Sequence, residues 1–332
     1  LFAPISREGA LVFNNVLLTT ATATVLIGTL YPLALEGVTG DKISVGAPYF
    51  NMTFVPLMLP LLAALPFGPF LAWKRADLQG AAERLTLAAL VGLIAVVATF
   101  AVYSSGPWMA PFAMAIGAFV IVGAFSEVLF RAKFGTAKRE EVLRRLWNLP
   151  RSVYGTALAH AGVGVMVLGI TATSAYRIEQ IKVLNPGDTT SVAVIPRTMT
   201  FKGVGPRRGP NFREQVGVIE VAHQGAEQPF TTLYPAKRIY DAPPQPTSEA
   251  GIHASWSGDL YTVLGDPQAD GKGYAIRVYF NPLVRFIWIG AVIMFIGGLV
   301  SLTDRRLRVG APRRSSRPPS GQMPDRSIVP AE

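Results

Sequence analysis

Long apolar segments separated by short polar loops limit this chain to a small set of folds. A helix that crosses a membrane needs about 20 mostly apolar residues, because the hydrocarbon core of a bilayer is roughly 30 Å thick. Apolar segments of this length lie at about 10–34, 52–73, 85–103, 108–130, 153–175 and 283–302. The hydrophobic share of the chain is 50% and the charged share is 16%, whereas soluble proteins carry about 25% charged residues. The sequence therefore predicts an all-α membrane region of about six transmembrane helices, surrounded by membrane lipid.

Proline residues set the second apolar segment apart from the others. They stand at Pro56, Pro60, Pro66 and Pro69. Proline has no N–H to donate to the preceding turn, and its ring clashes with the carbonyl four residues earlier. We therefore expect the second span to be kinked or partly broken.

Lysine and arginine residues predict how these helices are oriented. They are concentrated between spans two and three, between spans four and five, and after span six. These residues are Lys74, Arg75, Arg84, Arg131, Lys133, Lys138, Arg139, Arg144, Arg145, Arg151, Arg305, Arg306 and Arg308. The short loops on the opposite side contain Lys42 as their single basic residue. Because short cytoplasmic loops carry an excess of lysine and arginine, we expect both termini to be cytoplasmic. This distribution explains the formal net charge of +10 without a nucleic-acid partner.

Residues 177–282 differ in composition from the spans around them. They are polar and rich in Gly and Pro, with turn signals such as Asn185-Pro186-Gly187 and Gly265-Asp266. Short runs of β-forming residues lie at 190–195, 215–221, 260–264 and 274–279. We expect a small β-rich domain, a sandwich or barrel, inserted before the last span and outside the cytoplasm.

These features divide the chain into four predicted parts. They are a five-span region (1–176), the β-rich domain (177–282), the last transmembrane helix (283–308) and a tail (309–332). The tail is rich in Ser, Pro and Arg, so we expect it to be disordered and cytoplasmic.

His160 is the histidine that lies inside a predicted span. An ionisable side chain within a membrane is costly, and it is therefore a functional candidate. Its helical neighbours Thr156, Ala157, Val163 and Gly164 are small or slim, so a flat, bulky group could approach the imidazole. Neutral imidazole is also a ligand of haem iron. The residues alone equally allow a hydrogen bond to a neighbouring helix or a proton relay.

Other polar residues favour structural roles. We expect Asn14 and Asn15 to form interhelical hydrogen bonds near the interface, and Glu127 to reach that interface. His223 and His253 lie in the β-rich domain without a second histidine or a carboxylate at metal-ligand spacing, so no metal site is assigned to them.

The absence of cysteine and of nucleotide motifs narrows the chemistry further. The chain has 0 cysteines, which excludes disulfides, thiolate zinc sites, iron–sulfur clusters and a cysteine nucleophile within it. It also has no glycine-rich phosphate-binding loop, so a nucleotide-driven pump is disfavoured.

Several stretches form a set that is more specific than any one of them. They lie at 4–10, 14–15, 28–32, 42–51, 234–238, 259–261, 282–285, 297–298 and 301–306. Together they resemble the C-terminal half of CcmF, the large membrane subunit of bacterial cytochrome c maturation (system I). The resemblance extends from the first residues to Arg308.

This resemblance implies haem chemistry. CcmF-like proteins receive haem from the periplasmic chaperone CcmE, join it to the Cys-x-x-Cys-His motif of apocytochrome c, and hold a resident haem b between two transmembrane histidines. His160, in Leu158-Ala159-His160, matches one of those histidines, so the resemblance predicts it as an axial ligand of the haem iron. It further implies a bacterial inner-membrane location with the β-rich domain in the periplasm. The implied partners include the thiol-handling subunits CcmH and CcmI, with quinol as an electron source.

Parts of the family pattern have no counterpart in this chain. They are the tryptophan-rich haem-handling segment (WWD), the two periplasmic histidines beside it and the other transmembrane histidine. Because the chain also begins at Leu1 and not at Met, we expect part of a longer chain or a natural split subunit, which cannot attach haem alone. The alternatives are an assembly scaffold, or a non-catalytic haem or small-molecule permease or export component. A transporter would be expected to show paired broken helices in two repeats.

A last hypothesis concerns cations and aromatic rings in the β-rich domain. The residues are Lys237, Arg238, Arg277, Tyr234, Tyr240 and Trp256. The cations could pair with haem propionates, and the rings could offer flat apolar faces. The hypothesis is that the Lys237–Arg238 corner faces the haem cavity or the docked chaperone. The alternative is that the charges solvate the domain surface and the rings fill its core.

Overall fold

The structure is a computed structural model that describes residues 2–103, 106–192, 195–268 and 273–304. These ranges form a helical region and a β-rich domain. The helices are α1 (Arg7–Thr39), α2 (Ala47–Ala64), a 3-10 helix (Leu65–Phe70), α3 (Leu78–Arg84), α4 (Thr86–Val102), α5 (Ala110–Arg131), α6 (Arg139–Asn148), α7 (Arg151–Tyr176) and α8 (Arg285–Leu302). The predicted tail at 309–332 lies outside the described residues.

The helical region contains enough long apolar helices for a multi-pass membrane protein. In the described ranges, 5 stretches can span a membrane by length and composition: α1, α2 together with the 3-10 helix, α5, α7 and α8. Helices α3 and α4 form a further candidate that is bent by 60°, at Leu85. The prediction of about six transmembrane helices is confirmed.

The second span is interrupted at its prolines. Pro56 and Pro60 lie within α2, which gives way to the 3-10 helix at Leu65. Each proline removes a backbone donor from the helical ladder, and the tighter 3-10 turn accommodates Pro66 and Pro69. After the break, Pro66 of the 3-10 helix is buried and packs against Gly123 of α5.

Helix α7 is held between α8 and α5 by glycine contacts. A Cβ atom added at Gly155 would lie 2.6 Å from the carbonyl oxygen of Gly297, and one at Gly162 would lie 2.6 Å from that of Gly290. On the opposite face of α7, a Cβ at Gly164 would lie 2.7 Å from the carbonyl oxygen of Gly117 on α5. These backbones approach closely because the glycines lack side chains. The three helices therefore form a closely packed centre of the helical region.

The β-rich domain is a sandwich of two antiparallel sheets. Its strands are β1 (Ile178–Leu184), β2 (Thr189–Ser191), β3 (Arg197–Arg208), β4 (Phe212–His223), β5 (Thr231–Leu233), β6 (Ala236–Asp241), β7 (Pro244–Glu249), β8 (Gly251–His253), β9 (Gly258–Pro267) and β10 (Tyr274–Pro282). One sheet has the order β1-β10-β9-β8; the other has the order β2-β3-β4-β6-β7, with β5 paired to β4. The core between them includes Met199, Phe201, Ile219, Leu260 and Ile276. The predicted insertion of a small β-rich domain is confirmed.

The sandwich is joined to the membrane region at both of its ends. Strand β1 follows α7, and β10 leads directly into α8. The Thr173 hydroxyl of α7 donates to the carbonyl oxygen of Pro282 at 3.0 Å, and Arg285 Nε lies 3.5 Å from Asp259 Oδ1. These contacts tie the β10–α8 junction to α7 and to the start of β9.

Candidate functional site

His160 lies on the face of α7 that borders a space also lined by α1, α2, α5 and α8. Its side chain shares that face with Ser152, Val153 and Thr156, which lie one and two turns towards the start of the helix. The glycine contacts on the other two faces fix the rotation of α7. The imidazole is therefore held by helix packing at the space between these helices.

The imidazole opens into a cavity of about 490 Å³ between the helices. Helices α1, α2, α5, α7 and α8 and the 3-10 helix all contribute to its walls. The lining residues are Arg7, Ala10, Leu11, Phe13, Asn14, Leu61, Ala64, Leu65, Gly68, Pro69, Glu127, Arg131, Ser152, Val153, Thr156, His160 and Ser301. Most of the wall is apolar, with a few charged groups and one imidazole, which suits an amphipathic ligand.

His160 makes no hydrogen bond to another side chain or to a backbone group within the described ranges. A hydrogen bond to a neighbouring helix was the structural alternative for this residue, and the described helices offer none. The ring nitrogens are consequently free to interact with a group in the cavity.

Two charged groups from α5 lie in the cavity wall. Glu127 is 6% exposed, and its carboxylate accepts from Arg131 Nη2 at 2.7 Å. The sequence predicted that Glu127 reaches the membrane interface, but the structure buries it in this ion pair. The opposite charges of Glu127 and Arg131 neutralise each other within the cavity wall.

The two asparagines of α1 differ in position. Asn14 lines the cavity, and its side-chain amide donates to Asn15 Oδ1 at 3.3 Å. Neither makes the expected interhelical hydrogen bond within the described part of the chain. Sequence reasoning missed Arg7 as a cavity residue, although its spacing from Asn14, seven positions along one helix face, was a usable signal.

The histidines of the β-rich domain pack around one phenylalanine. The His223 ring stacks on Phe230 with centroids 4.6 Å apart, and His253 meets the same ring edge-on at 5.1 Å. Burial lowers the pKa of His253, and the positive charges of Arg197 and Arg285 lower it further against the opposing effect of Asp259. No group of three or more metal-ligating side chains occurs among the described residues.

The side chains of the Lys237–Arg238 corner form ion pairs within the β-rich domain. Arg238 Nε donates to Glu214 Oε2 at 2.9 Å, and its guanidinium carbon lies 3.8 Å from the centroid of the Phe212 ring. The Lys237 ammonium pairs with Asp266. The Arg238 side chain is 19% exposed, so the structure accounts for this arginine by packing and ion pairing and does not aim it at the cavity of His160.

The rings named with that corner lie mainly at the surface. Tyr234 is 53% exposed and Trp256 is 71% exposed, whereas Tyr240 packs against Phe212 with centroids 6.0 Å apart. Neither Tyr234 nor Trp256 fills the sandwich core, so that part of the alternative is wrong for these two residues.

The chain is similar to known proteins over most of its length. Residues 175–282 match the family described as the CcmF C-terminal beta-sandwich. The cytochrome c-type biogenesis protein CycK of Rhizobium meliloti is 50% identical over 95% of this chain and 46% of the relative. The cytochrome c-type biogenesis protein CcmF of Escherichia coli K12 is 33% identical over 91% of this chain and 44% of the relative. The chain thus spans about half the length of these relatives.

The fold of this chain is similar to that of a solved protein. The cytochrome c haem lyase CcmF superposes with a TM-score of 0.68 and 22% identity, over 91% of this chain and 46% of that one. At this identity the likeness concerns the fold alone. The names of the relatives concern cytochrome c biogenesis, so the permease alternative is not favoured.

Proposed function

We propose that this chain forms part of a membrane haem lyase. The premise is that the chain belongs to the CcmF-type cytochrome c biogenesis proteins. The reaction would join haem to apocytochrome c. Since the chain spans about half the length of its relatives, the activity is assigned to a larger chain or complex of which this chain is a part. The observation that carries the proposal is the imidazole of His160, which faces an amphipathic cavity between the helices without a hydrogen-bond partner in the described ranges.

The residues of the cavity fit a haem b group. Haem is flat and apolar over most of its surface and carries two carboxylates at one edge. The cavity offers apolar walls, with Arg7 as a cation and Arg131 already paired with Glu127. A neutral imidazole is a ligand of haem iron, so His160 would serve as one axial ligand. When bound, the haem would supply one-electron transfer. The protein holds the ring position of His160 through the glycine contacts of α7.

The orientation of the protein in the membrane follows from its basic loops. Lys74, Arg75 and Arg84 lie between the second and third spans, and the α5–α7 connection is also rich in basic residues. The positive-inside rule places these loops in the cytoplasm and the β-rich domain in the periplasm. Alkaline phosphatase fused near Gly225 should be active, and a cytosol-dependent green fluorescent protein at that position should be dark. The reverse pattern would invert the topology.

The proposed partners follow from the reaction. The chain has 0 cysteines, so the thiols that form the thioether bonds come from apocytochrome c and would be delivered reduced by the CcmH and CcmI subunits. CcmE would deliver the haem. Quinol in the membrane would be the source of electrons for the haem held at His160.

The experiment that tests the proposal replaces His160 with alanine in the protein purified from cells that produce the complete maturation system. We expect the haem b content, measured by the pyridine haemochrome assay, to fall severalfold, because one axial bond to iron is lost. His223→Ala is the matched control, since that histidine packs on Phe230 in the β-rich domain. Unchanged haem content and an unchanged reduced spectrum in His160→Ala would contradict the assignment.

A further inference from the structure

The cavity of His160 is chemically different at its two ends. Arg7 is the first residue of α1. His160 lies nine residues beyond Arg151, the first residue of α7. At 1.5 Å per residue this places the imidazole about 14 Å from the start of its helix. Arg7 is therefore at the rim of the cavity, on the side of the basic loops, and His160 is deeper within the helical region.

Arg7 is the cation of this cavity that lacks a carboxylate partner in the described ranges. The other guanidinium in the wall, Arg131, is neutralised by Glu127 at 2.7 Å. Glu8, the neighbour of Arg7, is used elsewhere, since its carboxylate accepts from the backbone N–H of Lys74 at 2.8 Å. A cation in the first turn of a helix is also opposed by the helix dipole, so the stability of α1 does not explain Arg7.

The structure fixes the position of Arg7 although it lies at a helix end. The Ser6 hydroxyl caps α1 by accepting from the N–H of Gly9 at 3.0 Å, and the N–H of Arg7 donates to the carbonyl oxygen of Ala72 at 3.0 Å. The guanidinium carbon lies 5.2 Å from the centroid of the Trp73 ring, in a cation–π contact. The charge is thus held at the cavity rim and is not on a freely moving surface side chain.

We propose that Arg7 pairs with a carboxylate of the ligand that His160 holds. The inference rests on the proposed function, under which the carboxylate is a haem propionate. A guanidinium group suits this role because its planar fork donates to both oxygens of a carboxylate. The haem would then lie with its propionate edge towards the basic loops. A lipid phosphate at the headgroup layer is the competing source of an anion for Arg7.

The experiment compares haem with haem dimethyl ester, which has no free carboxylates, in the purified protein. The rate of ligand loss to an excess of apomyoglobin is measured for the unaltered protein, Arg7→Gln and Arg7→Lys. We expect Arg7→Gln to release haem about tenfold faster, as for loss of a charge-assisted hydrogen bond, and to release the ester at an unchanged rate. Arg7→Lys keeps the positive charge, so its rate of haem release should lie between the rates of the unaltered protein and of Arg7→Gln.

Arg75→Gln is the matched control. Arg75 lies in the basic loop that follows the 3-10 helix, on the same side of the helical region as Arg7, and does not line the cavity. It should release both ligands at the rates of the unaltered protein. Equal acceleration of haem and ester loss in Arg7→Gln, or no acceleration of either, would overturn the role of Arg7 and favour a structural or lipid-binding one. If the unaltered protein retains no haem, or if His160→Ala leaves the haem spectrum unchanged, the proposed function itself fails.

Discussion

Glu214 shows how a single residue organises the surface of the β-rich domain. Glu214 is 4% exposed, and its carboxylate pairs with Arg207 and, at 2.9 Å, with Arg238. Burial raises the pKa of Glu214, but the hydrogen bonds from the two arginines outweigh this effect and bring the pKa below its ordinary value. Removing the carboxylate would leave two guanidinium groups facing each other beside Phe212.

The depressed pKa of Glu214 predicts acid sensitivity. A carboxyl group with a lower pKa in the folded state contributes stability above its unfolded pKa, and this contribution is lost as the pH falls through the folded value. The melting temperature should therefore fall as the pH drops below 4.5, the ordinary value for Glu214, more steeply in the unaltered protein than in Glu214→Gln. Differential scanning fluorimetry from about pH 3, below the ordinary pKa of carboxyl groups, to about pH 7, where they are ionised, measures this.

Glu220→Gln serves as the control for this prediction, because Glu220 is on the same strand and forms a partly exposed pair with Lys202 at 3.1 Å. At pH 7 Glu214→Gln should lose stability, whereas Glu220→Gln should change it by about 0.5 kcal/mol or less. Equal effects of the two substitutions would show that the Glu214 pairs behave as ordinary surface ion pairs.

Single residues also show how much of the candidate site could be predicted from the sequence. His160 was identifiable because an imidazole in an apolar helix is rare and costly. Its partners in the cavity were not, since Arg7, Glu127 and Arg131 come from helices far apart in sequence and meet through packing. The Lys237–Arg238 hypothesis could not be judged without the structure, because the engagement of Arg238 by Glu214 depends on the pairing of β4 with β6.

At the scale of elements, the α7–α8 contact determines where His160 points. Gly297 and Gly298 are neighbours on α8, but only one of them faces α7. A Cβ added at Gly297 would lie 2.5 Å from the backbone nitrogen of Ala159, the residue before His160, whereas one at Gly298 has nothing within 4 Å. A backbone atom cannot move aside as a flexible side chain can, so a substitution at Gly297 must displace a helix.

This difference predicts opposite outcomes for two adjacent substitutions. Gly297→Ala should lower the stability of the helical region by roughly 1–3 kcal/mol, the usual cost of overpacking, and should reduce haem retention at His160. Gly298→Ala should leave the melting temperature in detergent unchanged or slightly higher, because alanine is the better helix former. A loss of stability in Gly298→Ala equal to that in Gly297→Ala would contradict the packing derived for α7 and α8.

The elements differed in how well the sequence predicted them. The apolar spans were identifiable by length, and parts of β4, β9 and β10 by their β-forming residues. Strand β3 was not predicted, because it contains Gly203, Gly205 and Pro206, residue types that are depleted in strands; Gly203 lies at a register shift in the β3–β4 pairing. Helix α6 was also missed, since its many charges resembled a loop, although Glu141 and Arg145 pair one turn apart at 2.7 Å.

At the scale of the whole molecule, the candidate site and the β-rich domain lie at different levels. Arg7 and Arg131 mark the rim of the cavity on the side of the basic loops, while the β-sandwich follows the far end of α7. In the proposed topology, a haem at His160 would lie towards the cytoplasmic side, whereas the proposed attachment reaction would take place in the periplasm. This separation suits a haem that transfers electrons across the membrane and is not itself consumed.

The most direct test of this account is an electron cryo-microscopy map of the haem-loaded protein purified with its maturation partners. We predict planar density in the cavity bounded by α1, α5 and α7, with the metal bonded to a ring nitrogen of His160 and the propionate edge towards Arg7. Haem density found only elsewhere in the assembly, with lipid or side chains filling this cavity, would contradict the account.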